Sequence, residues 1–150
     1  MEKILLTTLF FVPVAVFAVD MPLRVHAVEA HLYLQNSGAL SRVIGPEMAL
    51  WNTIIGEGDA GEPSTSTLVD VIVEGAPGSF SARSEVKLVV SNSRTGKVKY
   101  RFTSHVGVLS RSGVSHIPFW LKETGCEPLK LVATVGNTKA ETDVSFACGE

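Results

Sequence analysis

The sequence predicts an all-β protein: a single antiparallel β-sandwich of about seven or eight strands with one disulfide. Three observations carry that prediction. From residue 31 onward, short segments alternate apolar and polar residues, and clusters of Gly, Pro, Asn and Ser divide them. No window carries a convincing 3.6-residue period. Cys126 and Cys148 are the only cysteines of the chain.

The first residues read as a targeting signal rather than as structure. Glu2 and Lys3 precede an uncharged run, Ile4 to Phe17. That run is shorter than the roughly 20 apolar residues a membrane span needs, and it fits a secretory signal. Val16-Phe17-Ala18 meets the small-residue rule for cleavage before Val19. Val28-Glu29-Ala30 meets it too, for cleavage before His31. The distance from the apolar run favours Ala18. The expected organisation is a signal peptide over 1–18, a flexible lead-in over 19–30 and a sandwich over 31–150. The expected compartment is secreted or periplasmic. A single domain of this size can bury a real core.

The expected strands are His31–Gln35, Ala49–Ile55, Thr67–Glu74, Glu85–Asn92, Lys97–His105, Ser115–Leu121, Leu129–Val135 and Glu141–Cys148. Val69, Val71 and Val73 share one face of the third. In the fifth, Val98, Tyr100 and Phe102 face one way and Lys97, Lys99 and Arg101 the other. Such alternation describes a sheet with one buried and one wet face. One short helix is a candidate over Gly45–Leu50. Taken together the pattern is immunoglobulin-like in general architecture, although the Cys-Trp-Cys order of antibody domains is absent: Trp51 and Trp120 both precede Cys126.

Two hairpins have a mechanism. Ser93-Arg94-Thr95-Gly96 suits a type I turn closed by Gly, and Gly136-Asn137 suits a tight turn that needs positive φ. Cys126 lies 11 residues before Asn137 and Cys148 lies 11 after it. Residues equidistant from a hairpin turn sit near one another, so the spacing predicts a structural Cys126–Cys148 bridge. An even cysteine count in an exported chain points the same way.

Composition removes some functions. The formal net charge is −2 with no run of like charges. That gives no electrostatic reason to bind nucleic acid or an anionic membrane. The loop GEGDAGEPSTS at 56–66 carries Glu57, Asp59 and Glu62. Their spacing does not match a calcium loop, and they read as a solvated connector.

Catalytic motifs are scarce. No Gly-x-Ser-x-Gly elbow, His-Glu-x-x-His motif, phosphate-cradling loop or dinucleotide fingerprint is present. Ser104-His105 and Ser115-His116 are strand neighbours, so their side chains point to opposite faces. The histidines leave one metal reading. A chain starting at His31 would offer an amine and an imidazole to Cu(II), with His105 and His116 completing a tetragonal nitrogen site. In that one feature and in fold class it resembles small exported copper carriers and the copper oxygenases of chitin and cellulose.

Ile117-Pro-Phe-Trp-Leu121 is apolar on both faces, and Pro118 confines it to an edge or a bulge. Trp51 and Trp120 read as core residues near the disulfide. The resulting expectation is an exported, non-catalytic binding, adhesion or structural module without a cofactor. Its partner is a protein or cell-envelope component. The mature chain binds no nucleic acid and does not insert stably in a membrane. The two rivals are the copper protein using His31 and a hydrolase whose site sequence does not show.

Overall fold

The computed structural model describes residues 21–149, and it is a β-sandwich. The signal segment 1–18 and its cleavage before Val19 lie outside the described residues. Among the described residues seven strands run in chain order: β1 (Arg24–Leu32), β2 (Ser66–Glu74), β3 (Phe80–Asn92), β4 (Val98–Val108), β5 (Val114–Lys122), β6 (Leu129–Val135) and β7 (Thr138–Val144). They form a three-stranded sheet, β1-β2-β5, and a four-stranded sheet, β4-β3-β6-β7, with every pairing antiparallel. β4 pairs with β3. In the constant-type immunoglobulin arrangement the fourth strand joins the sheet of the first, second and fifth.

Strict alternation builds the core. Val69, Val71 and Val73 of β2 are fully buried, as are Val86, Leu88 and Val90 of β3 and Leu131 and Ala133 of β6. Val, Ile and Leu at every second position put one apolar face of each sheet against the other.

The first strand corrects the sequence reading. Residues 24–30 were expected in a lead-in and the first strand at His31–Gln35, yet the strand spans Arg24–Leu32. A bulge at His26 shifts the register between Val25, paired with Val73, and Ala27, paired with Ile72. The extra residue lets Val25, Val28, Ala30 and Leu32 all face the core although their spacing is not uniformly two. The free edge of β1 is then covered. Ile44 N donates to Ala30 O, Leu32 N to Ser41 Oγ and Val25 N to Thr138 Oγ1.

The expected strand Ala49–Ile55 is also corrected. Trp51 forms an isolated bridge with Ala147, and Asn52 adopts φ 47°, which ends the extended run. Thr53–Ile55 is a 3₁₀ turn. Gly45–Leu50 forms only a turn, not a helix. Both hairpins form. Gly136 takes φ 54° between Val135 and Thr138, and Gly96 takes φ 72° while Asn92 Oδ1 accepts from Arg94 N and Thr95 N.

Cys126 and Cys148 are bonded, with their Cα atoms 4.8 Å apart at the open base of the β6–β7 hairpin. Beside them, Asn52 ties the 50–57 loop to the chain after β7. Its N–H donates to Ala147 O, and its Oδ1 accepts from Gly149 N.

Candidate functional site

The structure places the sequence-selected histidines apart. His31 lies on the outer face of β1, opposite Leu68, and its Nδ1–H donates to Ser41 O at 2.9 Å. His116 lies on the outer face of β5, opposite Ile72, with Nδ1 2.6 Å from Asp70 Oδ2. Four residues along β2 and two strand spacings put the Cα atoms of His31 and His116 roughly 16 Å apart. His105 sits on β4, in the other sheet, opposite Glu85. Among the described residues no three His, Cys, Asp or Glu side chains converge as a metal set. Among the described residues the structure does not bring His31, His105 and His116 together.

The Ser–His neighbours point to opposite faces. Ser115 Oγ donates to Val106 O on the inner side of β5, while His116 faces out. The loop acids each hold a separate donor: Glu57 accepts from Asn52 Nδ2, Asp59 from Ala49 N and Glu62 from Ser37 N. They close loops and do not converge.

The tryptophans were expected in the core and are on the surface. Trp51 is 48% and Trp120 41% exposed. β5 is an edge strand, so its inward residues Ile117, Phe119 and Leu121 suffice for the core, and Pro118 and Trp120 point outward. Trp120 meets the Tyr33 ring edge-on at 5.3 Å.

Among the described residues a concavity lies at the disulfide end of the β4/β5 side. Aromatic rings close this side of the sandwich: Tyr100 stacks on Phe102 at 5.8 Å, and Phe102 meets Phe119 at 5.6 Å. Tyr100 Oη donates to Lys122 O, which links the two edge strands. Past Tyr100 the filling stops and a cleft of about 530 Å³ opens. Leu129 and Thr124 are its buried members, Tyr100 and Thr65 are half-buried, and Ile54 and Cys126 are exposed at its rim. Buried hydrogen bonds fix its wall: Thr67 Oγ1 to Thr124 Oγ1 at 2.8 Å, Thr124 N to Thr65 O and Thr53 Oγ1 to Gly125 O.

Charge is confined to the mouth. Lys99 Nζ lies 2.7 Å from Glu127 Oε2, which also accepts from Asn92 Nδ2. The Lys99 hydrogen bond, then that of Asn92, hold the Glu127 carboxyl below the ordinary carboxylate range. Glu123 stands on the same mouth at φ 53° and forms no ion pair among the described residues. A volume of this size, apolar inside with a few polar groups at the entrance, matches sites that take small molecules or a partner's side chain.

Sequence reading missed this cleft. Its walls come from four separated stretches, at 54, 65, 99–100 and 123–129, and only Cys126 marked the region. No protein-family model and no curated protein matches the sequence.

Proposed function

We propose that the chain is an exported, non-catalytic binding module that receives an apolar group of a protein or cell-envelope partner in the cleft beside Cys126–Cys148. One observation carries the reading. The cleft presents Tyr100, Leu129 and Ile54 as an apolar lining, and its charges at the mouth are the mutually neutralising pair Lys99–Glu127 and the unpaired Glu123. Such a lining can hold an apolar group by burial, worth about 1.5–3 kcal/mol for one aliphatic or aromatic side chain. Its hydroxyls are already engaged, Thr124 with Thr67 and Thr65 with Gln35. Among the described residues neither hydroxyl hydrogen-bonds to a histidine or carboxylate that would activate it, which supports binding over hydrolysis.

Export is supported by the signal-like sequence at the N-terminus and by the intramolecular disulfide, which oxidising compartments sustain. Among the described residues no helix is long and apolar enough to cross a membrane. Cleavage before Val19 fits the fold better than cleavage before His31. The latter would remove Val25, Val28 and Ala30 from the core.

The test is an amide chemical-shift screen of the full mature chain with small apolar fragments. Shifts are expected to cluster at Thr65, Tyr100, Thr124 and Leu129 and to vanish in Ile54→Glu, a change at an exposed rim position. Shifts that cluster instead around Tyr33 and Trp120 would refute the cleft as the binding site.

A further inference from the structure

The start of β4 is bulged. Val90 of β3 pairs with Tyr100 and Ser91 pairs with Val98, so Lys99 is the extra residue between them. The bulge sets Lys99 beside Tyr100 on the wall of the cleft. Its side chain is only 29% exposed, low for a lysine, and its Nζ lies 2.7 Å from Glu127 Oε2. Lys97 follows Lys99 to this end of the molecule, while Lys87 and Arg101 stay further along the sheet.

A second, smaller depression of about 230 Å³ adjoins the cleft, lined by Asn92, Thr95, Lys97, Lys99 and Glu127. Lys99 and Glu127 line both hollows, so their ion pair is the partition between them. Strand pairing holds the two side by side: Asn92 of the depression stands directly opposite Leu129 of the cleft. Their chemistry differs. The cleft presents Ile54, Tyr100 and Leu129 as apolar surface. The depression presents two ammonium groups against one carboxylate, which leaves one positive charge over. Lys97 forms no ion pair among the described residues, although its charge reaches Glu127 along with that of Lys99. Thr95 Oγ1 accepts from Lys97 N, which leaves the hydroxyl hydrogen to donate. Glu123 borders the cleft but not the depression.

We propose that the two hollows together bind a fatty-acid carboxylate, with its alkyl chain against Ile54, Tyr100 and Leu129 and its head between Lys97 and Thr95. This assignment rests on the cleft accepting an apolar group, and it adds the class of molecule that carries the group. A cleft of about 530 Å³ lies within the range of small-molecule sites. Each methylene buried there strengthens binding about fourfold. A single negative head matches the one surplus positive charge across the partition. An uncharged head would leave Lys97 uncompensated, and a cationic head would meet like charge. The Lys99–Glu127 pair stays intact in this arrangement, because the chain lies on one side of it and the head on the other.

The experiment titrates the full mature chain at neutral pH with decanoate, decanol and decyltrimethylammonium, each below its micelle concentration, and follows amide chemical shifts. Decanoate is expected to move two groups of amides together: Tyr100, Thr124 and Leu129 in the cleft, and Thr95 and Lys97 in the depression. It should bind about fivefold tighter than decanol at low salt, and added salt should erode that margin. Lys97→Glu should erase the margin and leave decanol binding as it was. Lys87→Glu makes the same change in charge at an exposed position outside both hollows and should leave the margin intact. Equal affinity for decanoate and decanol, tighter binding of the cationic surfactant, or an unchanged margin in Lys97→Glu would each overturn the carboxylate site while the apolar cleft stands. Shifts in neither hollow with any of the three would overturn the cleft as well.

Discussion

His116 Nδ1 lies 2.6 Å from Asp70 Oδ2 across the β2–β5 ladder, and Asp70 Oδ1 is buried without a hydrogen-bond partner among the described residues. The Asp70 side chain is only 19% exposed, on a face where Glu29 stands directly opposite it. Its one ring partner therefore matters more than a surface pair ordinarily does.

His116→Ala should accordingly cost about 1–2 kcal/mol, because it leaves a largely covered carboxylate without its donor. Adding Asp70→Val should recover most of that loss, since removing both partners is close to neutral and Val suits a strand. Urea unfolding of the two variants checks this. A double variant weaker than the single one contradicts it.

The disulfide closes a loop across a sequence separation of 22 residues. Replacing both Cys126 and Cys148 with Ser should lower stability by about 3 kcal/mol, from the conformational freedom regained by the unfolded chain. Denaturant midpoints of oxidised wild type and the double variant provide the measurement. A loss well under 1 kcal/mol would mean the 50–57 loop and Asn52 already fix the C-terminal segment without the bridge.

Val28 is 7% exposed and faces Val71-side core from β1. Val28→Asp should unfold the chain or lower its stability by several kcal/mol, because a buried carboxylate there has no partner. A chain starting at His31 should likewise fail to fold, lacking seven residues of the first strand. A cooperative thermal transition in that truncated chain would contradict the placement of β1.

Glu141 and Glu127 are both held below the usual carboxylate range. Hydrogen bonds from Lys139 and Lys130 act on Glu141, and those from Lys99 and Asn92 act on Glu127. Groups lowered on folding stabilise above their unfolded value and lose that contribution as pH falls below it. Stability should therefore decline as pH drops through and below the ordinary carboxyl value of 4.5. Glu127→Gln with Glu141→Gln should flatten that decline. Lys130 is raised, chiefly by its Glu141 hydrogen bond, so its contribution should fade only as pH climbs past 10.5. All three are surface groups, and salt should shrink each effect. Thermal melts from pH 3 to 7 in both proteins test the sign.

Much of the fold was legible because each well-read strand obeys one rule. β2 and β6 alternate without interruption and bury every second residue. The Gly136-Asn137 turn fixed the register that brings Cys126 to Cys148. The first strand was not legible because the bulge at His26 breaks the period of two. Its small residues also imitate a cleavage site at Val28-Glu29-Ala30. Trp51 and Trp120 were misplaced for another reason: residue type reports apolarity, whereas Trp120 turns outward on the edge strand β5 and Trp51 stands outside both sheets with only an isolated bridge to Ala147. The cleft was invisible because Ile54, Thr65, Tyr100 and the stretch 123–129 meet only through long-range pairing. The faces at the start of β4 were misread for the same reason as β1: Lys97, Lys99 and Arg101 were assigned to one face, but a bulge at Lys99 sets Val98 opposite Ser91 and Tyr100 opposite Val90, and so parts Lys97 and Lys99 from Arg101.

The intact, non-reduced mass of the protein recovered from the exported fraction tests the account most directly. It reports export, the start of the chain and the state of the cysteines together. The predicted mass is that of Val19 to Glu150 less the two hydrogens of one disulfide. A chain beginning at His31, a chain retaining residues 1–18, or a mass with both thiols reduced would contradict an exported sandwich whose first strand starts at Arg24.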